Sequence, residues 1–264
     1  MRKTLPFLFM FMGVVQGLKA QTTIAPETSA VYFNINFNLG VPIGEYKTYN
    51  DEIAPGGGFD ILFQPHVKVP LLVGFNMAFM SGGSQIQRET LTADIVAGGT
   101  VIETLYFPMR VETFNTIIGG NLSLRVQAPT QFVKPYAEGL IGFNYFGTNT
   151  SVYDESEEFY LSEADNPLIT SSNQNSDWTY SFGGAAGMLI QINESIFIDV
   201  RAAYRLGGNA QYYVEDDIEY WELVFNNIPT EPDDFEDDDL SISAIPKESK
   251  TDMIVGTIGL TFKF

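Results

Sequence analysis

The chain has 264 residues, 45% of them hydrophobic, with 33 acidic side chains against 14 basic ones and a formal charge of −19. It contains no cysteine and a single histidine, His66, which excludes disulfides, thiolate metal sites, cysteine nucleophiles and two-histidine metal centres. The acidic balance argues against nucleic acid as a partner, because phosphate binding needs clustered Lys and Arg, while the 24 glycines, 21 phenylalanines and 13 tyrosines suit a β-rich chain rather than a disordered acidic one.

Arg2 and Lys3 open the chain, Leu5 to Val15 is an apolar run, and Ala20-Gln21 offers a cleavage point. This layout predicts a secretory signal peptide over 1–20 and a mature domain over 21–264. The apolar run is shorter than the roughly 20 residues of a membrane helix, and no second stretch reaches that length.

From residue 31 the pattern changes to a period of two. Val31, Phe33, Ile35, Phe37, Leu39, Val41 and Ile43 alternate with Asn34, Asn36, Asn38 and Gly40. The same alternation recurs at Val73–Phe79, Ile141–Tyr145, Val200–Leu206 and Ile258–Phe264. A soluble sheet would turn a Lys- and Glu-rich face to water. Here the polar face is mostly Asn, Gly, Ser and Ala, which suits the crowded inside of a narrow barrel, with bulky apolar side chains diverging into lipid.

Eight strands are predicted near 30–43, 57–65, 71–84, 109–127, 133–148, 177–192, 197–212 and 251–264. Each is long enough for the ~9–11 tilted residues that cross an outer membrane. Short connections at Pro65–Pro70, Ala128–Phe132 and Asn193–Ile196 alternate with long ones at Glu45–Gly56, Gln85–Pro108, Asn149–Ser176 and Tyr213–Lys250. Short periplasmic turns and long external loops are the asymmetry of transmembrane barrels, and an even count returns both termini to the periplasm. The fold expected is an all-β, eight-stranded antiparallel transmembrane β-barrel, an up-and-down meander, with a ten-stranded count as the alternative. The connection Gln85–Pro108 carries alternating segments around Ala97-Gly98-Gly99 and is expected to project as a hairpin. Tyr145, Trp178, Tyr180 and Tyr204 fall toward the outer interface, and Phe63, Phe132 and Phe264 toward the periplasmic one.

The ending Ile258-Gly-Leu-Thr-Phe-Lys-Phe264 resembles the C-terminal signal by which outer-membrane proteins are recognised for insertion. Leu105-Tyr-Phe-Pro-Met-Arg110, Lys134-Pro-Tyr-Ala-Glu-Gly-Leu-Ile-Gly-Phe143 and Phe197-Ile-Asp-Val-Arg-Ala-Ala-Tyr-Arg-Leu-Gly207 resemble the porin-like, PorT-type outer-membrane barrels, relatives in architecture of the OmpA and OmpX barrels. These phrases mark strands rather than a reaction. The resemblance implies an outer-membrane location and contact with the barrel-assembly machinery through the last strand, and it leaves activity open.

Asp60, Arg125, Glu138, Asp199, Arg201, Arg205 and Lys263 fall on the predicted inner face. An eight-stranded barrel is just wide enough for side chains to fill, so an ion-paired plug is expected. Arg125 and Glu138 are equidistant from the turn near Gln131 and Phe132, which places them side by side. The alternative is a gate whose charges exchange partners to open a narrow channel for small solutes. His66, in a predicted periplasmic turn, is read as a turn residue. Catalytic and cofactor sites are expected to be absent, with a lipid-modifying enzyme as the least favoured reading.

Two loops hold most of the acidity. One contains Asp154, Glu155, Glu157, Glu158, Glu163 and Asp165; the other runs from Glu215 to Asp239 with 12 acids and no bases. A solvated, self-repelling loop is the plain reading, and Ca2+ or Mg2+ binding, for loop order or to bridge anionic lipopolysaccharide sugars, is the alternative. The leading expectation is a monomeric closed barrel, in contact with outer-membrane lipid and lipopolysaccharide, with a structural or surface-binding role.

Overall fold

A strand with unlike faces is stable only where each face finds its own solvent. The computed structural model describes residues 29–97, 100–155, 168–213, 222–225, 240–243 and 246–264; the expected signal peptide and most of the two acidic loops lie outside them. Strand β1 (Ala30–Pro42) buries Asn34, Asn36 and Asn38 and exposes Ile35, Phe37, Leu39 and Val41. A soluble protein does the reverse. The exposed apolar residues recur on the other long strands, among them Phe79, Leu122, Ile141, Val200 and Ile258.

Seven further strands join β1 in a closed antiparallel ring: β2 (Ala54–Gln64), β3 (Leu71–Ala97), β4 (Thr100–Gln127), β5 (Val133–Asp154), β6 (Leu168–Gln191), β7 (Ile196–Gly207) and, at the end of the chain, β12 (Met253–Lys263). Each pairs with its neighbour in sequence, and β1 closes on β12 from Tyr32↔Lys263 to Pro42↔Met253. The turns at 65–70, 128–132 and 192–195 are short, as predicted. Four short strands precede β12: β8 (Asn209–Tyr212), β9 (Glu222–Phe225), β10 (Leu240–Ser243) and β11 (Lys247–Lys250). They form two separate pairs, β8 with β11 and β9 with β10, so the ring holds eight strands and not ten.

The strands run further outward than their apolar pattern does. β3 and β4 pair from Leu71↔Val126 to Ala97↔Thr100, which makes the expected projecting hairpin continuous with the wall. At 27 and 28 residues each strand is more than twice the ~9–11 needed to cross the membrane. Both ends of the stretch Asn149–Ser176, expected as a loop, are ladder as well, because β5 continues to Asp154 and β6 begins at Leu168. A ladder needs paired backbones, not an apolar face. Hydroxyl pairs such as Thr113–Thr150 at 3.5 Å and Ser151–Ser171 at 3.0 Å add side-chain support across it.

The first outer connection holds an element that the alternation does not announce, the helix α1 (Gly44–Tyr49). Gly44 turns the chain into it with φ +60, a conformation that favours glycine. The strand predicted over 197–212 divides at Gly207-Gly208, and β8 leaves the ring to pair with β11.

Candidate functional site: the filled lumen

The inner faces of the strands meet in three layers. At the periplasmic end Tyr32, Leu62, Leu72, Tyr136, Leu189 and Phe197 form an apolar floor. At the outer end α1 lowers Tyr46 into the mouth, where its ring meets Phe146 at 5.9 Å and Tyr212 at 5.0 Å, both edge-on. Met80, Ile117 and Met253 complete that cap. Burial, and then the nearby Tyr212, raise the Tyr46 phenol above its ordinary range despite the hydrogen bond that it accepts from Asn50 Nδ2 at 3.4 Å.

Between floor and cap lies a polar layer. Its first part is a ladder along β1. Asn38 Nδ2 donates to Asn36 Oδ1 at 2.7 Å, and Asn36 Nδ2 donates to Asn34 Oδ1 at 2.8 Å. Thr257 Oγ1 donates to Asn38 Oδ1 at 2.8 Å, and Asn34 Nδ2 donates to Thr261 Oγ1 at 2.7 Å. An amide both donates and accepts, so a row of Asn satisfies itself where Lys or Glu would leave a charge. Gly58 makes room for this row: a Cβ there would sit 2.8 Å from Asn38 Nδ2 and 2.3 Å from the Met77 carbonyl.

The charged part is continuous. Glu138 meets Arg125 at 3.3 Å and Arg201 at 3.4 Å, and Arg201 reaches Asp60 at 3.2 Å. Arg125 also approaches Asp199 at 3.7 Å and lies 3.8 Å over the Tyr136 ring. Asp199 accepts from Tyr136 Oη at 2.6 Å and from Asn34 Nδ2 at 3.2 Å. Asn76 donates to Asp60 and accepts from Arg205 Nη2 at 3.0 Å, which ties the third arginine to the group through an amide. These six charged side chains are at most 5% exposed. Three acids and three arginines balance, which is the condition for ionised groups to remain buried.

Of the seven inner-face charges read from the sequence, Asp60, Arg125, Glu138, Asp199, Arg201 and Arg205 come together here. Arg125 and Glu138 are cross-strand partners as expected. Lys263 is the exception: the last residue of β12, it lines the periplasmic mouth. The alternation places Asn34, Asn36 and Asn38 on the inner face but does not show that they bond to one another; Tyr136 carries no such sign, although it stands two residues from Glu138 and so shares its face. His66 sits in the 65–70 turn, where its Nδ1 accepts from the Lys68 backbone N–H at 3.1 Å.

In the first acidic segment Glu155 pairs with Arg88 at 3.0 Å and with Arg110 at 3.2 Å. Glu157, Glu158, Glu163 and Asp165 lie outside the described residues, as does nearly all of the stretch from Glu215 to Asp239. Among the described residues no group of three acidic or histidine side chains is placed to hold a metal ion.

On the outer wall Trp178, Tyr180 and Tyr204 stand exposed toward the outer end, and Tyr145 packs on Trp178 at 4.9 Å. Phe63, Phe132 and Phe264 stand exposed at the opposite end. An even antiparallel ring with an apolar belt, aromatic residues at both rims and a polar filling is the build of an outer-membrane barrel. The protein is an all-β, eight-stranded transmembrane barrel of the outer membrane.

No protein-family model and no curated protein matches the chain. Solved structures do. The chain is similar to a major outer membrane protein from Thermus thermophilus, with 10% identity over 89% of this chain and 99% of that one and a TM-score of 0.45. It is similar to OprG from Pseudomonas aeruginosa, with 14% identity over 90% and 96% and a TM-score of 0.37. It is also similar to Ail, the attachment invasion locus protein of Yersinia pestis, solved with the heparin analogue sucrose octasulfate, with 10% identity over 89% and 97% and a TM-score of 0.34.

Proposed function

We propose that the protein is a closed, non-enzymatic barrel of the porin-like, PorT-type group, with a structural or surface-binding role. The observation that supports this is the lumen, which is occupied at three levels by interlocked side chains. The apolar floor, the charge-balanced middle and the Tyr46 cap each stand in the path of a solute. What reaches outward is the β3–β4 hairpin, the β5–β6 hairpin and the acidic segments that continue from them. On this reading the wall contacts outer-membrane lipid and lipopolysaccharide, β12 engages the barrel-assembly machinery, and the barrel works as a monomer that displays its acidic outer surface.

Planar-bilayer recording tests the closed lumen. Purified wild-type protein is expected to show no stable stepwise conductance, and regular unitary steps would overturn the reading in favour of a narrow channel. One feature favours that second reading. Arg205 is fully buried, has no carboxylate within ion-pair distance among the described residues, and leaves Nε and Nη1 without hydrogen-bond partners. A guanidinium held so loosely could exchange partners more readily than Arg125 or Arg201.

A further inference from the structure

The outer hairpin leaves one edge of β3 uncovered. β2 pairs with β3 only as far as Gly56↔Met80, whereas β3 continues with β4 to Ala97↔Thr100. Among the described residues no other strand lies beside β3 over that outer length. Phe79 is opposite Ile118, which is opposite Tyr145 of the outer aromatic rim, so residues 84–95 stand beyond the lipid.

The ladder shows which groups this edge presents. Successive residues of a strand turn their N–H and C=O groups to opposite sides. Glu155 N–H donates to the Pro108 carbonyl at 2.9 Å, and Gln127 N–H donates to the Pro70 carbonyl at 2.9 Å. Even-numbered residues of β4 therefore face β5, and odd-numbered ones face β3. Val111 and Met109 bond to Gln87 and Glu89, and the backbone groups of Ile86, Arg88, Thr90 and Thr92 point away from β4. The side chains of these four residues are exposed. Natural sheets blunt such an edge with proline, a bulge or a short strand. Here the register runs unbroken from Ser84 to Ile95 and contains no proline. On the opposite edge Pro108 stands where β5 ends and supplies no donor.

We propose that this edge takes up an extended, cationic polypeptide segment as a further strand. The proposal rests on the surface-binding reading above and names its partner. Main-chain hydrogen bonds along Ile86–Thr92 hold a segment of about seven residues, ~23 Å long. Ile86, Thr90 and Thr92 are β-branched and suit an extended neighbour. Charge selects the occupant. The connections at this end of the barrel include six acids from Asp154 to Asp165 and 12 from Glu215 to Asp239, and neither stretch contains a base. Arg88 and Arg110 are already engaged by Glu155. A second copy of the chain brings the same acids and is repelled, whereas Lys or Arg on an extended segment is drawn in.

Fluorescence anisotropy of a labelled short peptide alternating Lys and Thr, titrated with the folded barrel in a zwitterionic detergent at constant ionic strength, tests this. Saturable one-site binding is expected. A peptide of equal charge with its central threonines replaced by proline should bind at least tenfold more weakly, and so should one with Glu in place of Lys. Thr90→Pro puts its ring on the unpaired side and removes no ladder bond, so it should fold and weaken binding at least tenfold, while Thr90→Val should change it less than threefold. Absence of saturable binding, a proline or Glu peptide bound as tightly as the parent, or an unchanged affinity of Thr90→Pro would each overturn the proposal. If Thr90→Pro fails to refold, as read by heat-modifiable gel mobility, the proline peptide against the wild-type barrel decides alone. A wild-type barrel that ignores the peptide yet stays silent in planar-bilayer recording loses this edge and keeps its closed lumen.

Discussion

Arg125→Ala is the sharpest perturbation of the lumen. The side chain engages Glu138 at 3.3 Å, Asp199 at 3.7 Å and the Tyr136 ring at 3.8 Å, and all four groups are buried. Removing one partner of a buried ion pair costs about 3–5 kcal/mol. Glu138 keeps Arg201 at 3.4 Å, which lowers that cost. Asp199 loses the one arginine within ion-pair distance among the described residues and keeps only the Tyr136 hydroxyl and the Asn34 amide, which raises it. The lost cation–π contact adds about 1–2 kcal/mol. These corrections oppose one another, and about 3–5 kcal/mol of destabilisation is expected. Glu138→Gln leaves Arg125 with Asp199 and Arg201 with Asp60, and should cost less, about 1–3 kcal/mol. Replacing both residues with Gln should cost less than the sum of the two single Gln variants, with a coupling of about 1–3 kcal/mol. Urea titrations of the barrel in lipid vesicles, followed by tryptophan fluorescence and gel mobility, report each value. Additivity within ~0.5 kcal/mol would refute the pairing and with it the register of β4 on β5.

Epitope tags within 154–165 or 225–240 should be accessible on intact cells and a tag within 65–70 should not; surface labelling of the last would invert the topology. Phe264→Ser, or deletion of Phe264, should lower the yield of heat-modifiable barrel, since the terminal aromatic completes the expected insertion signal, and deletion also removes the backbone hydrogen bonds of 3.1 and 2.9 Å with Val31 where the ring closes. Unchanged yield in both variants would count against that role. Gly58→Ala forces a Cβ against the Met77 carbonyl and should destabilise by about 1–3 kcal/mol in the same urea titration, an undisturbed midpoint being the contrary result. At the outer mouth the Tyr46 phenol is raised above its ordinary value by burial. Its contribution to stability is therefore complete below pH ~10, where the unfolded phenol titrates, and is lost as the pH rises further. Tyr46→Phe should flatten the alkaline limb of the stability profile, and an identical limb would show that other groups set it.

The ring and its inside-out faces were legible because lipid imposes a period of two wherever it touches a strand. Beyond the lipid that constraint ends. Both faces of residues 148–151 and 170–173 carry Thr, Ser and Asn, so the pattern fades while the ladder continues. The six residues of α1 make fewer than two turns, too few for a helical period to register. Pairing between sequence neighbours could be read from turn spacing, as for Arg125 and Glu138. Contacts across the lumen, such as Arg201 with Asp60 or Asn34 with Asp199, join strands that are not sequence neighbours along the chain, and their height depends on the tilt and stagger of the whole ring. The rim position of Lys263 escaped notice because alternation reports the face of a residue but not its depth.

The seam between β1 and β12 also governs how the molecule comes into being. Its pairs join residues such as Tyr32 and Lys263, about as far apart in the chain as two positions can be. Contacts of such long sequence separation are slow to form, because the intervening chain must first be brought into place. Until the last strand arrives, β1 offers a row of unpaired backbone groups, and an unpaired edge invites pairing with any other chain. The growing sheet is therefore most vulnerable to aggregation just before completion, and a mutation that delays β12 prolongs that exposure even where it leaves the finished barrel as stable as before.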